Sequence, residues 1–585
     1  MAVVPCYGTG ISRRQALMGA AALPLGALPL VASPGRARAQ SQAGGAATAT
    51  AFRLADETRA TNIKVHWQAV TGADRYEVHR ACAGHPAPVR VATVTGTTLD
   101  DYALPAEQTY TYRIRALDVS GAELSTSSTN TCRTFTPGGA FASYDNTRKS
   151  SLSLRAGLEA DGIYYRYDFR SDADGFSQVV EETSTDGYTF TGNTVVLSRD
   201  ATPELQDSKL ESVNVVKNPA TGQFVMWAHY ENRSDYTLAE TAVAVARPGG
   251  AFTFLGHSRP LGHESRDLTF FADIDGTGYV ISAARNNSDL NLYRLTPDWL
   301  AVAELSAVLF PDQHREAPAL VQADGTYYLF SSEAAGWYPS QGKYASAPST
   351  AGPWSELREI GNPATFGAQS GGIVEVGDRH AMMANRWSAN WRYPEAANQQ
   401  RMLPITFHDG YASYDLFEIV DYDAEAGTLI PVQRGRIVSA GGPANASSLS
   451  EDEPGEDLTY EPAKANDGDH VSKENYYKSG TVPFTWEVDL RRACRVDRIN
   501  ITTRLVNGSE TYYEYTIDAS EDGRVYNALV DESANRIAGF KTHRVTDTAR
   551  YRYVRLTVTR IVNIHNENTA DWARGINELT VFGAS

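Results

Sequence analysis

The residues of this sequence best suited to chemistry lie in four separate segments of its middle region, at Glu211, Asp267, Glu316 and Gln369. One carboxyl group can protonate a leaving oxygen while a second group activates water from the opposite face. Two carboxyls about 6.5–9.5 Å apart can divide these two roles. Glu316 precedes a proline-containing strand sequence, and a place in an apolar channel would let desolvation retain its proton. The alternatives are an ion pair of Glu316 with Arg315 and a turn in which Asp267 pairs with Arg266.

The elements that must bring these residues together form a degenerate internal repeat. Each unit has a Gly-containing turn followed, in the clearer copies, by an aromatic strand, and the turns begin at positions 161, 221, 275, 324 and 377. No helical periodicity of useful length interrupts the units. Five units of about fifty residues each predict a five-bladed β-propeller, whose central channel collects one inner-strand end from each blade.

Four segments of the predicted propeller share one order and placement with a known family: Glu211–Val216, Leu261–Phe271, His314–Leu320 and Thr365–Gly371. They resemble the family-43 glycoside hydrolases, and within them the exo-β-1,3-galactanase group. Their order and their placement, one in each of blades two to five, match the family.

The resemblance implies roles for all four residues. Glu316 matches the general acid, and Asp267 matches the residue that orients the acid and raises its affinity for the proton. Glu211 would bind substrate or assist the water, and Gln369 would hold the water as an unusual substitute for a base. Because a neutral amide accepts a proton poorly, Glu211 is the only carboxylate that these motifs offer for that step.

Two departures from the family pattern concern substrate and activity. Ser212, Val213 and Asn214 follow Glu211 where the group usually has Arg, Pro and Lys, and the first unit offers no Asp before its turn at Asp161. Candidate substrate-binding residues are those able to stack on a sugar face or to bind its hydroxyls. A place in the hydrophobic core is an equal alternative for each of them. They are Trp227, His229, Asn232, Trp337, Tyr338, Arg386 and Trp387.

The C-terminal strand sequences resemble the discoidin-like jelly roll of coagulation-factor type C domains and family-32 carbohydrate-binding modules. Ala465-Asn466-Asp467-Gly468-Asp469 matches the calcium loop of that family, and Glu578 matches the late glutamate that closes the site. Calcium prefers six to eight oxygen ligands, so Asp467, Asp469 and Glu578 are the predicted metal ligands. A plain Asx-turn is the alternative. Candidate ligand-facing residues of this module are Tyr476, Tyr477, Tyr512, Tyr513, His565 and Trp572.

Before the propeller, alternating segments resemble a fibronectin type III sandwich. Trp67 takes the place of the early tryptophan, and Tyr110 would tie its hydroxyl back to the backbone. Cys82 and Cys132 lie in this region and could pair in an oxidising compartment, whereas Cys494 is expected to be a small buried hydrophobe.

The N-terminus has the features of an export signal. Arg13-Arg14 precedes a short apolar stretch and a small-residue cleavage site at Ala37-Arg38-Ala39, which resembles a twin-arginine signal. No other stretch approaches the roughly 18 apolar residues of a membrane span. A net charge of −17 disfavours nucleic acid as a partner, because phosphate binding needs a basic surface.

Together these features predict an all-β, secreted and monomeric protein with no organic cofactor: a fibronectin-like β-sandwich, a five-bladed β-propeller and a C-terminal β jelly roll. The predicted segments are a signal peptide at 1–39, a linker at 40–50, the sandwich at 51–136, the propeller at 137–438, a linker at 439–457 and the jelly roll at 458–585.

The leading functional prediction is an exo-acting inverting glycoside hydrolase on galactan or arabinogalactan-type polysaccharide. The alternatives are an exo-furanosidase acting on arabinofuranosides or galactofuranosides, and a catalytically decayed protein that only binds polysaccharide. A sialidase propeller is a weaker alternative, because the segment from Ser184 to Phe190 loosely matches an Asp-box turn but no set of three carboxylate-binding arginines is recognisable.

Overall fold

The structure is a computed structural model that describes residues 54–58, 62–83, 85–134, 142–148, 157–377, 379–387, 399–408, 410–423, 426–450, 460–506 and 510–584. The predicted signal peptide and first linker lie outside these residues. The described part is all-β, which confirms the predicted fold class, and no helix in it is long and apolar enough to cross a membrane. Helical structure there is limited to short 3-10 turns at Arg199–Ala201, Pro203–Leu205, Pro260–Gly262, Pro462–Ala465 and Asp571–Ala573.

Five four-stranded antiparallel sheets, each made of consecutive strands, form the five blades of the propeller. Blade one contains β10 (Leu158–Ala160), β11 (Ile163–Asp172), β12 (Gly175–Ser184) and β13 (Thr191–Ser198). Blade two contains β14 (Ser208–Lys217), β15 (Phe224–Asn232), β16 (Glu240–Ala246) and β17 (Thr253–Ser258). Blade three contains β18 (Leu268–Ala272), β19 (Gly278–Ala284), β20 (Asp289–Leu295) and β21 (Val302–Leu309). Blade four contains β22 (Arg315–Ala323), β23 (Thr326–Glu333), β24 (Gly342–Ala347) and β25 (Arg358–Ile360), and blade five contains β26 (Gln369–Val376), β27 (Arg379–Arg386), β28 (Gln399–His408) and β29 (Tyr411–Tyr414).

The predicted repeat is confirmed, because each of its turns joins the first and second strands of one blade. Gly162, Gly222, Gly276 and Gly325 occupy the left-handed region at these turns, with φ between +70° and +85°. Glycine adopts this conformation without the clash that a Cβ would cause. The sequence period therefore coincides with the structural period.

The second strand of a blade is buried on both faces, since neighbouring blades pack against it. All eight residues from Phe224 to Glu231 in β15 are buried, and all of them except His229 and Glu231 are apolar or aromatic. Trp227 of blade two lies with Phe270 and Trp299 of blade three in one apolar cluster between the blades. Such two-sided burial explains why these strands are nearly continuous apolar runs rather than alternating ones.

A three-stranded sheet beside blade five joins the start and end of the propeller region. Its order is β31-β30-β9, with β9 at Ala142–Asp145, β30 at Ile419–Asp423 and β31 at Thr428–Val432. Asn146 donates to the backbone oxygens of Met402 and Phe417 at 2.9 and 3.0 Å. The chain that enters the propeller is thereby bonded to the last blade.

The N-terminal region contains two sheets with an apolar core between them. One has the order β1-β2-β5, and the other has the order β4-β3-β6-β7 with β8 also paired to β6. Tyr110 donates to the Pro105 oxygen at 3.4 Å, the kind of contact predicted for it. The fibronectin type III assignment itself stays a prediction. The strands are β1 (Leu54–Thr58), β2 (Ile63–Trp67), β3 (Arg75–Cys82), β4 (His85–Val94), β5 (Thr98–Asp101), β6 (Thr109–Leu117), β7 (Glu123–Thr126) and β8 (Asn130–Arg133).

The predicted pairing of Cys82 with Cys132 is wrong in this structure. Both cysteines are free thiols, and they lie opposite the same residue, Tyr110, on the two sides of β6. With neighbouring strands about 4.8 Å apart, the two are separated by roughly 10 Å. A disulfide cannot form beyond a Cα separation of about 7 Å. Cys494 is buried, as predicted.

The C-terminal module is one eight-stranded sheet system around its own apolar core. Its order is β32-β39-β34-β38-β35-β36, with β33 and β37 also paired to β34. It begins at Arg436, ahead of the predicted boundary at 458, so residues predicted as linker contribute strand β33 to this module. The strands are β32 (Arg436–Ile437), β33 (Ala444–Ala446), β34 (Phe484–Thr503), β35 (Thr511–Ser520), β36 (Asn527–Glu532), β37 (Phe540–Arg544), β38 (Arg550–Asn563) and β39 (Ile576–Ala584).

The three domains meet at a buried cluster of charges. Lys64 of the N-terminal region is 1% exposed and bonds Asp100 at 3.1 Å and Asp415 of the propeller. His470 of the C-terminal module bonds the other oxygen of Asp415 at 3.1 Å. Burial alone would raise the pKa of Asp415, but Lys64 and His470 hold it well below its usual range. Asp415 therefore links all three domains as a carboxylate.

Candidate active site

The predicted site residues of blades two, four and five stand at the same local irregularity. The pairing of the first strand with the second shifts register between Glu211 and Asn214, between Glu316 and Ala319, and between Gln369 and Gly372. A β-bulge of this kind re-aims side chains next to it. In blade three, Asp267 stands immediately before β18. Each of blades two to five thus presents its candidate site residue where the first strand of the blade begins or bends.

Glu316 is 5% exposed, and both of its carboxyl oxygens accept hydrogen bonds from amides. Gln369 Nε2 donates to Oε1 at 2.9 Å, and Asn287 Nδ2 donates to Oε2 at 3.0 Å. Burial, and then the nearby charge of Asp267, raise the pKa of Glu316 well above its usual value. A carboxyl that stays protonated near neutral pH is what a general acid needs.

Neither ion-pair alternative is what the structure contains. Arg315 turns away from Glu316 and donates to the Ser331 oxygen at 2.7 Å and the Gln341 oxygen at 3.1 Å. Arg266 donates to the Tyr236 oxygen at 2.9 Å rather than to Asp267. Both arginines therefore support backbone, and the two carboxyls keep other partners.

Asp267 interacts with the segments that carry the other two carboxyl groups of the site. Ser212, the residue after Glu211, donates its hydroxyl to Asp267 Oδ1 at 3.3 Å. On the other side, the Asp267 charge acts on Glu316 strongly enough to contribute to its raised pKa. The structure therefore brings Glu211, Asp267 and Glu316 into one neighbourhood, as predicted from segments far apart in the chain.

The orientation of the Gln369 amide is determined by Trp387. The Trp387 indole Nε1 donates to Gln369 Oε1 at 2.7 Å. An indole N–H is only a donor, so the amide atom that it meets must be the oxygen. The amide nitrogen consequently faces Glu316 Oε1, and also Ser332 Oγ at 3.1 Å. Gln369 is thus bonded directly to the predicted acid.

Glu211 has a separate set of partners. Tyr236 donates its hydroxyl to Glu211 Oε1 at 2.8 Å, and His229 Nδ1 lies 3.7 Å from Oε2. The other ring nitrogen of His229 is 3.0 Å from Glu231, which is 1% exposed and also accepts the Ala239 backbone N–H. Glu231 therefore holds the imidazole in place behind Glu211.

The remaining predicted substrate-binding residues divide by their surroundings. His229 and Trp387 contact the site as described, and Arg386 is buried and donates to the Gly367 oxygen at 3.2 Å. Trp337 is 39% exposed on the loop after β23. Trp227 does not join the group: it is 1% exposed between blades two and three, and its Nε1 donates to the Trp299 oxygen at 2.9 Å. Asn232 caps a turn by accepting the Asp235 backbone N–H at 3.0 Å.

Sequence reasoning missed the residues that hold the site residues in place, chiefly Tyr236, Asn287, Glu231 and Ser332. Tyr236 and Asn287 lie in loops between strands, where no periodic pattern marks them. Glu231 lies on β15, where an acid inside an apolar run such as Met226-Trp227-Ala228 was an available signal, because a buried carboxylate needs partners.

The Asp-box-like turn of the weak sialidase alternative is a local structural device. Asp186 Oδ1 accepts from the Ser184 hydroxyl and from the backbone N–H groups of Tyr188 and Thr189. The C-terminal module repeats the arrangement at Ser520 and Asp522. Since the same turn closes hairpins in two unrelated domains, it is no evidence for a sialidase.

The predicted calcium ligands lie in one region of the C-terminal module. Glu578 is 5% exposed, its Oε2 has no hydrogen-bond partner, and burial together with Asp467 and Asp469 raises its pKa well above the usual value. Burial likewise raises the pKa of Asp467 to about 6. A cation would relieve this repulsion, so the charges fit Ca²⁺. Within the described ranges, however, no three His, Cys, Asp or Glu side chains are already grouped to hold a metal ion.

The candidate ligand-facing aromatics of this module are mostly buried. Tyr477 and Tyr513 are 0% exposed, and Tyr476 and Tyr512 are also inside. Trp572, 44% exposed, is the best placed of the predicted residues to meet a ligand.

Several known proteins are similar to this chain. The chain is similar to the solved exo-β-1,3-galactanase from Clostridium thermocellum, at 27% identity over 69% of this chain and 100% of that one, with a TM-score of 0.46. It is also similar to the exo-β-1,3-galactanase from Phanerochaete chrysosporium, at 22% identity over 75% and 100% of the two chains, with a TM-score of 0.47. No curated protein matches this chain. Residues 161–399 match the family model of glycosyl hydrolases family 43, and residues 443–575 match that of the F5/8 type C domain.

Proposed function

We propose that the propeller is an exo-acting inverting glycoside hydrolase that acts on galactan or arabinogalactan-type polysaccharide. The observation that carries this proposal is Glu316, a buried carboxyl with a raised pKa beside Asp267, inside the region that matches family 43. The substrate class rests on the motifs around Glu211, Asp267, Glu316 and Gln369, which resemble the exo-β-1,3-galactanase group.

On the acid side, protonated Glu316 gives its proton to the glycosidic oxygen as the bond to the sugar breaks. The carboxylate left behind is stabilised by the N–H groups that already meet it, from Gln369 and Asn287. Asp267 keeps the proton on Glu316 until substrate binds, since a second negative charge nearby disfavours ionisation.

On the water side, Glu211 is the proposed proton acceptor. Gln369 is less suited to that step, because its oxygen already accepts the Trp387 N–H and its nitrogen donates to Glu316. Tyr236 and the pair His229 and Glu231 orient Glu211. Water attacks the anomeric carbon and passes a proton to Glu211, so one proton enters and one leaves the site in each turnover.

The other parts of the chain complete the proposal. The C-terminal module is proposed to bind polysaccharide and to hold Ca²⁺ through Asp467, Asp469 and Glu578. The N-terminal region is proposed to be a fibronectin type III-like spacer. Secretion through a twin-arginine signal and a monomeric state remain predictions of the sequence.

The test is the release of sugar from β-1,3-galactan and β-1,3-galactotriose. Wild type and Glu159→Gln, a matched change at an exposed turn carboxylate of blade one, should release galactose, whereas Glu316→Gln should not. Proton NMR of the first product should give the inverted anomer. Activity on arabinofuranosides or galactofuranosides alone would favour the furanosidase alternative. Binding to polysaccharide without release of any sugar would favour the catalytically decayed one.

A further inference from the structure

The loop between β23 and β24, residues 334–341, lies directly beside Glu316, and we call it the acid loop. It follows Ser332 and Glu333, the cross-strand partners of Glu316 and Arg315. The backbone N–H of Ala334 donates to the His314 oxygen at 2.9 Å, two residues before Glu316, and Ser332 Oγ accepts a hydrogen bond from Gln369 Nε2 at 3.1 Å. The loop also carries the exposed Trp337. Its conformation therefore affects both the acid and the surface near it.

The middle of the acid loop packs against the C-terminal module. Tyr338 packs against the apolar cluster of Tyr512, Val562 and Ile564. Its ring also meets the His565 ring edge to face, with 5.0 Å between centroids. Such an aromatic contact stabilises one orientation of the ring over others.

Both ends of the loop are also tied to contacts with the same module. At the start, Lys473 donates to Glu333 Oε1 at 2.9 Å. At the end, the Ser340 oxygen accepts the Thr365 hydroxyl at 2.7 Å, and Phe366 meets Phe540 of the module edge to face at 5.6 Å. The contacts with the C-terminal module thus flank the loop as well as meeting its middle.

A cavity of about 290 Å³ separates part of the loop from the module. Glu333, Pro339 and Ser340 line it from the propeller, and Lys473, Tyr476 and Arg504 line it from the module. Tyr338 does not line this cavity, and it is where the loop packs against the apolar cluster of the module.

We propose that the C-terminal module positions the acid loop through Tyr338, so that the module is a part of the catalytic unit and not only a means of binding polysaccharide. The proposal rests on the proposed function, because it gives Tyr338 a role in the rate of hydrolysis. Tyr338 is a positioning residue: it touches the module, and its effect reaches Glu316 through the Ala334–His314 backbone bond and through Ser332, which meets Gln369.

The test uses β-1,3-galactotriose, which is too short for polysaccharide tethering to influence the rate. Tyr338→Ala removes the contact from the propeller, and His565→Gln removes the opposing ring while keeping a hydrogen-bonding group for Glu510. Val525→Ala, a truncation at a 68% exposed turn of the same module, is the control. We expect each of the first two variants to lower kcat about tenfold, the double variant to be no worse than either, and the control to match wild type.

A second measurement separates positioning from loss of stability. With the loop displaced, Ser332 holds the Gln369 amide less firmly and Glu316 loses a donor to its ionised form, so the basic limb of the kcat profile should move to higher pH in both variants. Hydrogen–deuterium exchange should be faster in residues 334–341 and unchanged in blade one. The proposal would be overturned if both variants kept the kcat, the pH profile and the hydrogen–deuterium exchange of wild type. If wild type hydrolyses no galactan, the proposed function fails, and unchanged loop exchange in His565→Gln would still refute the anchoring by itself.

Discussion

Trp387 should control the acid although it does not touch it. The substitution Trp387→Phe keeps an aromatic ring but removes the N–H that binds Gln369 Oε1 at 2.7 Å. The amide is then free to turn, and its oxygen can face Glu316 Oε1 in place of its nitrogen. One of the two side-chain amide donors to Glu316 is lost, and the other, from Asn287 at 3.0 Å, remains.

The size of the effect follows from the charge that develops on Glu316 during proton transfer. A hydrogen bond to a charged group contributes about 1.5–3 kcal/mol. Because about 1.4 kcal/mol corresponds to a factor of ten in rate, kcat should fall by about 10- to 100-fold. The lost donor had favoured the ionised carboxyl, so the pKa of Glu316 rises further and the basic limb of the kcat profile moves to higher pH.

The assay is the pH dependence of galactose release from β-1,3-galactotriose, with Trp354→Phe as the matched control, because it removes an indole N–H that donates to the Thr350 oxygen at 3.3 Å in the loop between β24 and β25. Gln369→Glu should be at least as damaging, because a second carboxyl replaces the donor. If Trp387→Phe kept both the wild-type kcat and the wild-type basic limb, the amide orientation deduced from the indole would have no part in catalysis, and the argument would be refuted.

Three further predictions concern stability and thiol chemistry. Trp227→Ala should destabilise the propeller by about 3–5 kcal/mol, seen in denaturant unfolding, while the KM of the folded protein for galactotriose changes little, because the ring fills the core between two blades. Asp415→Asn should lower the melting temperature by leaving Lys64 incompletely paired. Because the pKa of Asp415 is lowered from 3.8 in the folded protein, its contribution to stability is present above about pH 4 and is lost as the pH falls through the folded pKa. The melting temperatures of wild type and variant should therefore converge in acid. Reduction with dithiothreitol should leave the melting temperature of wild type unchanged and thiol titration should find Cys82 and Cys132 free, whereas a reduction-sensitive melting temperature would show that they pair.

Much of the architecture was predictable because it depends on local patterns in the sequence. The Gly-containing turns at Gly162, Gly222, Gly276 and Gly325 recur once per blade, so the sequence period predicted five blades in the correct order. The candidate site residues came from the resemblance of four segments to family-43 glycoside hydrolases, and their roles stay predictions. A propeller brings equivalent positions of its repeating unit towards a common axis.

Other features depended on contacts between distant segments. The cysteine pairing failed because sequence position does not reveal that β6 separates Cys82 from Cys132. Trp227 was a plausible sugar-stacking residue until its burial against blade three was visible. The start of the C-terminal module was placed too late, because short strands such as Arg436–Ile437 are recognisable only through their pairing with β39.

The sequence alone therefore determined the all-β class and the five-fold repeat, because both depend on residue type and regular spacing, whereas the candidate catalytic carboxyls came from the family resemblance of four segments. Only the tertiary structure decided that Trp387 orients Gln369, that Tyr236 and His229 hold Glu211, and that the C-terminal module touches the acid loop. Those relationships join residues from different blades or domains, and a pKa or a side-chain orientation is a property of the surroundings that folding assembles.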